Sequence, residues 1–428
     1  MKTNRRSFIN RSLGVAGGVA LAPMASALEP GFERKLREVE SITPAELATD
    51  EEYWQYIRQA FTISPNLINL NNGGVSPQPR IVQDKVTHYQ SVSNEGPAHY
   101  MWTVLGEERE PMRRKLAETA GCSPDTLAIM RNTTEALDQI IFGFPLEKGD
   151  EVVLCKYDYP NVINAWKQRE MRDGIVLKWL DLPMPVENDD FIVKAYTGQF
   201  TSRTKLVNVT QVINWTGQIL PVKKIAQAAH ANNVEVMVDG AHAFAHLVFK
   251  VPDLECDYFG CSLHKWLFAP FGTGFLYVKA DKISKIWPLM AAPDPKSADI
   301  RKFENIGTRP FAVELAISTA IDFYNMIGPA RKEQRLRYLK DYWVNGIKDH
   351  PKVKLNISMK PQYSCGLGNF SIEGNRSNEL QALLMTKYKI LTTPINWEKV
   401  NGIRVTPSVY TTLPELDLFI KAVLEFAG

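Results

Sequence analysis

The sequence predicts an α/β protein in which a mostly parallel sheet is sandwiched by helices and followed by a smaller α+β domain. Three observations carry this. Short apolar runs alternate with helical stretches from residue 126 to residue 263, the pattern of strands joined by crossover helices. The runs are apolar almost throughout rather than at every second position, as in strands covered on both faces. From about Phe311 the alternation gives way to long helices and a few isolated strands.

Taken in order, the chain opens on a segment unlike the rest. Residues 1–27 carry a basic start (Lys2, Arg5, Arg6, Arg11), an apolar stretch from Leu13 to Pro23, and Ala25-Ser26-Ala27, which fits an A-x-A cleavage site. The stretch is too short and too rich in Gly and Ala to span a bilayer comfortably. Arg5-Arg6 within NRRSFI resembles a twin-arginine export signal, which implies a partner in the twin-arginine machinery, folding with cofactor loaded before export, and a periplasmic location. A segment over 28–60 contains a helix from Pro44 to Ala60. A large domain over 61–310 begins with LINLNNGGVSPQPRIV, a Gly/Pro turn leading into a helix at Ile81 to Val92, and a further helix in GEEREPMRRKLAETAG. Strands are expected in TLAIM, EVVLC, IVLKWL, KLVNVTQV, VEVMVD and DYFGCSL, and helices in TEALDQIIFGF, NVINAWKQREM and VKKIAQAAHANN. The smaller domain, 311–428, reads as the long helix FAVELAISTAIDFYNMI, a charged helix, strands in NFSIEG, KILTTPI and GIRVTPS, and the terminal helix ELDLFIKAVLEF. Neither an internal repeat nor a low-complexity linker interrupts it.

Composition removes several function classes. With 428 residues, 45% of them hydrophobic and 23% charged, the chain has room for two domains and a large core. A formal net charge of +3, with no basic block interleaved with aromatics, argues against a nucleic-acid partner. Cys122, Cys155, Cys256, Cys261 and Cys365 form no metal-type cluster and are odd in number, so no disulfide framework or metal site is expected. No G-x-G-x-x-G follows an early strand, which removes a nicotinamide dehydrogenase.

The chemistry-bearing residues fall at strand ends, where sites in open parallel sheets lie. MRNTTEALDQII places Asn132, Thr133 and Thr134 between a strand and a helix, suited to an anion; the same hydroxyls could simply cap the helix. CKYDYPNVINAW brings Tyr157 and Tyr159 to a strand tip, for stacking on a planar ligand or for packing. VTQVINWTGQILPV sets Asn214 before a turn. In VEVMVDGAHAF, Asp239 ends a strand and is followed by Gly and two small residues flanking His242. A carboxylate there either meets a cation or caps the next helix. DYFGCSLHKW then puts Ser262, His264 and Lys265 at the end of the next strand, one crossover from Asp239. A lysine that attacks an aldehyde needs a lowered pKa and a fixed position, which partial burial supplies. An anion site, a stacking aromatic, a carboxylate for a ring nitrogen and a nucleophilic lysine together suit pyridoxal 5′-phosphate.

DGAHAF, SLHKW and FGTGFLYV, with LNNGGVSPQP, NTTEAL, NWTG, IGTRP and IRVTPSVY in family order, resemble the class V aminotransferase family of fold-type I pyridoxal-phosphate enzymes. The resemblance covers nearly all of the chain after the signal, and its tone is that of the isopenicillin N epimerase-like branch. It implies the aspartate aminotransferase-like fold and a homodimer. It implies that Lys265 forms the Schiff base and shuttles the Cα proton, that Asp239 holds the pyridine nitrogen protonated, and that His242 sits beside it. Thr133, Thr134, Ser262 and His264 would bind phosphate, Asn214 the ring oxygen, and Tyr159, or in a shifted register Tyr157, would stack on the ring. Thr308 in IGTRP would reach the neighbouring subunit's phosphate. Arg404 would take the substrate carboxylate in bidentate fashion, where the residue alone could equally form a surface ion pair.

Cysteine desulfurases of this family need a cysteine shortly before that arginine. Here the stretch is YKILTTPINWEKVNGIR, and Cys365 lies elsewhere, before a small-domain strand. The expectation is therefore chemistry at the amino group or at Cα or Cβ of an amino acid or amino-acid-containing peptide: transamination, epimerisation or elimination. Two alternatives remain at this level. Relatives exported to the periplasm modify siderophore peptides, and a protein of this fold could bind ligand without turnover; the retained Lys265 argues against the second.

Overall fold

The computed structural model describes residues 38–374 and 376–428. The export segment 1–27 lies outside the described residues, as does the start of the 28–60 segment. A seven-stranded sheet dominates, in the order β2-β8-β7-β6-β5-β3-β4. Its strands are β2 (Leu127–Met130), β3 (Glu151–Cys155), β4 (Val176–Leu180), β5 (Thr204–Thr210), β6 (Glu235–Asp239), β7 (Tyr258–Ser262) and β8 (Gly274–Val278). Only β8 runs against its neighbours, β2 and β7; the pairs β7/β6, β6/β5, β5/β3 and β3/β4 are parallel. The ends of β2, β3, β5, β6 and β7 therefore emerge on one edge.

Both faces of this sheet are covered, which is why its strands are apolar at successive positions. In β6, Val236 and Val238 join one core cluster and Met237 the other. Helix α4 (Thr133–Gly143) lies so close to β7 that a Cβ on Gly260 would stand 2.8 Å from Leu137 and 3.0 Å from Ala136. Ahead of it in the chain come α1 (Glu51–Gln59), α2 (Arg80–Glu95) and α3 (Arg109–Ala120). The crossovers continue with α5 (Pro160–Asp173), α6 (Asp189–Thr197) and α7 (Val222–His230).

After α8 (Phe311–Leu315), α9 (Ile317–Ile327) and α10 (Pro329–Ile347), an antiparallel sheet forms in the order β12-β13-β10-β9. Its strands are β9 (Val353–Leu355), β10 (Gly368–Ile372), β12 (Thr393–Trp397) and β13 (Val400–Val405), backed by α11 (Ser377–Tyr388) and α12 (Leu413–Ala427). Its core also takes in Leu70. Beside that residue β1 (Ile68–Asn69) pairs in parallel with β11 (Ile390–Leu391).

Several elements differ from the sequence expectation: KILTTPI forms β11 and the start of β12 rather than one strand, β9 was not expected, and three helical differences have a local cause. The single helix expected from Pro44 to Ala60 is two, Pro44–Leu47 and α1, because Asp50 turns out of the helix and accepts from the Tyr53 amide at 3.0 Å. The long helix from Phe311 is interrupted at Ala316, whose amide donates to the Glu314 carbonyl two residues back. Helix α6 was not expected; Asn188 caps it, accepting from the Phe191 amide at 2.9 Å.

Candidate active site

The strand ends close over a cavity of about 520 Å³. Lining it are Thr133, Thr134, Tyr159, Asn214, Asp239, His242, Ser262, His264, Lys265 and Arg404. The structure thus gathers every candidate residue but Thr308, which is exposed in the loop before α8 and outside this cavity. Between the two tyrosines the geometry discriminates: Tyr159 is 41% exposed at the cavity, whereas Tyr157 is 0% exposed within the core.

At the α4 end, the cap is Asn132 rather than either threonine, its side chain accepting from the Glu135 amide at 2.9 Å. Thr133 is tied to β7 instead. Its amide donates to Ser262 Oγ at 2.9 Å, and the two hydroxyls lie 2.7 Å apart. Gly274, the second glycine of FGTG, permits this approach, since a Cβ there would meet the Cys261 carbonyl at 2.6 Å and Asn132 Cα at 2.8 Å. The first, Gly272, turns the chain with φ +79°.

Asp239 ends β6 beside Thr210 of β5 and Gly260 of β7. It caps no helix; Oδ1 accepts from the Ala241 amide at 2.9 Å in the turn that follows. Burial raises its pKa, opposed by that amide and by Lys265. Lys265 keeps some surface because it lines a hollow, but protein encloses it. That burial, helped by Arg404, brings its pKa down to about 8 against the pull of Asp239. Its amine stands 3.3 Å from His242 Nε2. Both histidines are held neutral, chiefly by burial and then by Lys265: His242 well below its ordinary value and His264 down to about 4.

Arg404 is 7% exposed. Its guanidinium donates to the Asn214 carbonyl at 3.2 Å, Asn71 Oδ1 at 2.9 Å and Thr393 Oγ1 at 3.4 Å. No carboxylate among the described residues forms an ion pair with it, and burial lowers its pKa to about 10. A buried cation without a counter-charge is costly unless a ligand supplies one. Four further buried atoms in the cavity residues lack protein partners: Asn214 Oδ1, His242 Nδ1, His264 Nδ1 and Arg404 Nε. So many orphan polar atoms in one hollow fit a polar, anionic ligand.

Sequence reasoning named no role for Asn71, Gly73, Thr210, Trp215, Thr393 or Ile395. Asn71 and Gly73 lie in LNNGG, where a Cβ on Gly73 would stand 2.9 Å from Thr406 and 3.4 Å from His242. Thr210 donates to the buried Asp158 carboxylate at 2.7 Å. Trp215 directly follows Asn214, so the signal was adjacent to a residue already singled out. Among the described residues no cysteine lines the cavity. Cys365 is buried, its thiol 3.4 Å from the Gly217 carbonyl and pushed up to about 11 by burial.

Comparison with known proteins identifies the family. The aminotransferase class-V family model matches residues 68–393. The isopenicillin N epimerase of Streptomyces clavuligerus is 27% identical over 392 residues, 88% of this chain and 98% of the relative. A probable cysteine desulfurase of Synechocystis sp. is 25% identical over 407 residues, covering 89% of this chain and 95% of the other. Among solved structures, the apo cysteine desulfurase of Thermococcus onnurineus NA1 superposes with a TM-score of 0.77 at 20% identity, over 87% of this chain and 97% of that one. A C-DES mutant with glycine covalently linked to its PLP cofactor superposes at 0.76 and 21% identity, over 85% and 98%. These two likenesses establish the same fold, the aspartate aminotransferase-like arrangement expected of the sequence. With most of its length matched from the first strand to the sheet that carries Arg404, the chain belongs to the aminotransferase class-V family.

Proposed function

We propose that the protein binds pyridoxal phosphate in this cavity and acts on the amino group or Cα of an amino acid, free or within a peptide, as an epimerase or transaminase. The observation that carries the reading is the coexistence, in one hollow, of a lysine amine brought down to about 8 and a buried arginine that no carboxylate neutralises. When bound, the cofactor acidifies the substrate's Cα–H by drawing electrons into its ring. The chain's own groups do the rest. Thr133, Thr134, Ser262 and His264 would hold the phosphate, Asp239 the protonated ring nitrogen, and Asn214 the ring oxygen. Arg404 would fix the substrate carboxylate, limiting rotation about Cα. Lys265, mostly unprotonated above pH 8, is the base that can take the Cα proton and return it. The absence of a cavity cysteine favours these reactions over desulfuration, the activity named for several relatives.

The test is spectroscopic and chemical. Purified protein should carry a visible cofactor band that borohydride abolishes and Lys265→Ala alters; colourless protein that no added cofactor restores would sink the reading. Given amino acids and peptides, release of keto acid means transamination, whereas loss of Cα chirality without it means epimerisation.

Two further parts of the reading concern the whole protein. Exposed Thr308, outside its own cavity, is placed by us in the phosphate site of a second copy, so sedimentation should find a dimer. Export to the periplasm rests on the sequence of residues 1–27; Arg5→Lys with Arg6→Lys should leave the protein in the cytoplasm.

A further inference from the structure

Most polar groups of the cavity are assigned to the proposed cofactor, the substrate carboxylate or proton transfer, or are held by protein partners, as Thr210 is by Asp158. The apolar part of the lining includes Pro160, Val162, Trp215 and Ile395. Alternation along β12 sets Thr393, Ile395 and Trp397 on one face of that strand. Thr393 touches Arg404, and Ile395 follows it in the cavity wall. Trp397 then stacks on Trp215, ring centroids 5.2 Å apart and planes at 17°.

The stacked indoles are fixed by hydrogen bonds at their edges. Trp215 Nε1 donates to the Tyr157 carbonyl at 3.1 Å and Trp397 Nε1 to the Lys156 carbonyl at 2.8 Å. Both indole N–H groups are thereby used, and what Trp215 can offer a ligand is its ring. Both rings are only half-buried, and Trp397 lies behind Trp215 rather than in the lining. A rigid, half-open aromatic surface next to a buried arginine suits a carboxylate whose adjoining group is planar and apolar. Pro160, Val162, Trp215 and Ile395 themselves offer a charged side chain no counter-charge.

We infer that Trp215, backed by Trp397 and continued by Ile395, is a specificity-determining subsite for an aromatic or large apolar side chain on the substrate. The inference rests on the proposed placement of the substrate carboxylate at Arg404. It names the substrate class: amino acids, free or as a residue of a peptide, with aromatic or bulky apolar side chains, and excludes acidic and basic ones.

The experiment uses holoenzyme and carboxylates that lack an amino group, so that binding is read by calorimetry without turnover. Propanoate, 3-phenylpropanoate, indole-3-propanoate and succinate are compared. Indole-3-propanoate should bind about tenfold or more tightly than propanoate, the gain expected of a stacked and buried ring, and succinate no more tightly than propanoate. In Trp215→Leu the ratio of indole-3-propanoate to propanoate affinity should fall toward one, while Trp215→Phe should retain most of it. Equal affinities in the native protein, or an undiminished ratio in Trp215→Leu when Trp215→Phe is folded and binds, would overturn the subsite. The parent reading fails separately: if Arg404→Ala binds indole-3-propanoate as tightly as the native protein, the carboxylate placement is wrong, and the substrate class inferred from it goes with it. If the purified protein carries no cofactor, the reaction assignment fails, and the same affinity ratios measured on the cofactor-free protein decide the subsite.

Discussion

A buried charge needs a partner, and at residue scale Arg404 differs from its neighbours in lacking one. Elsewhere in the fold the buried arginines are satisfied: Arg113 lies against Glu304 and Arg335 against Glu51. Arg404 has only an amide, a hydroxyl and a carbonyl around it. Replacing it with lysine keeps a positive charge but loses the planar fork that matches a carboxylate. Arg404→Lys should therefore raise the KM for amino acids by about tenfold to a hundredfold, with a smaller fall in kcat, in steady-state assays of holoenzyme. A comparable loss with substrates that have no carboxylate would mean that the residue merely supports the fold. In sequence, Arg404 could be picked out only through its motif. Nothing in IRVTPSVY says whether a guanidinium at that register is surface-paired or buried, because the decisive contacts come from Asn71 and Asn214, far away in the chain.

At the scale of elements, the site depends on how closely β8, β7 and the start of α4 approach one another. The strands and the crossover helices were legible because apolar runs and turn residues are local signals. Their ends fall within a few residues of expectation, β3 and β6 among them. Helix α6 carried a readable start in Asn188-Asp189-Asp190, an N-cap followed by acids in the first turn. The interruption at Ala316 was not legible, since it depends on which backbone carbonyl an amide finds in three dimensions; the one at Asp50 carries a local signal, an N-cap acid followed by Glu51 and Glu52 in the first turn. The motif FGTG was visible but its reason was not. Gly274 is where the first residue pair of β8 lies against Asn132, ahead of the two threonines. Gly274→Ala should shift that contact, costing about 1–3 kcal/mol of stability in denaturant unfolding and weakening cofactor affinity more than it weakens binding of amino acids to enzyme already loaded. A folded variant with native cofactor affinity would show that the approach is dispensable.

Across the whole molecule, a histidine ties the turn after β6 of the large sheet to the segment before β10 of the small one. His246 stacks on Trp266 at 3.7 Å, its Nε2 accepts from the Gly366 amide at 2.9 Å, and its Nδ1 donates to the His242 carbonyl at 2.8 Å. This arrangement requires the neutral ring, and burial holds its pKa down to about 3. The folded value lies below the unfolded one, so the unfolded chain binds the extra proton first as pH falls. The contribution of His246 is then complete above about pH 6.5 and drains away between there and pH 3. In urea titrations the native protein should lose more stability between pH 7 and pH 4 than His246→Gln does; parallel pH profiles would refute this.

Arg404 is steadied by Asn71 across 333 residues of chain. The strand that leads into Lys265 can pair with its neighbours while synthesis continues, but the Arg404 guanidinium cannot be set in place until β13, the last strand, has been made. On the proposed reading, a growing chain has its cofactor lysine in place before it can hold a substrate.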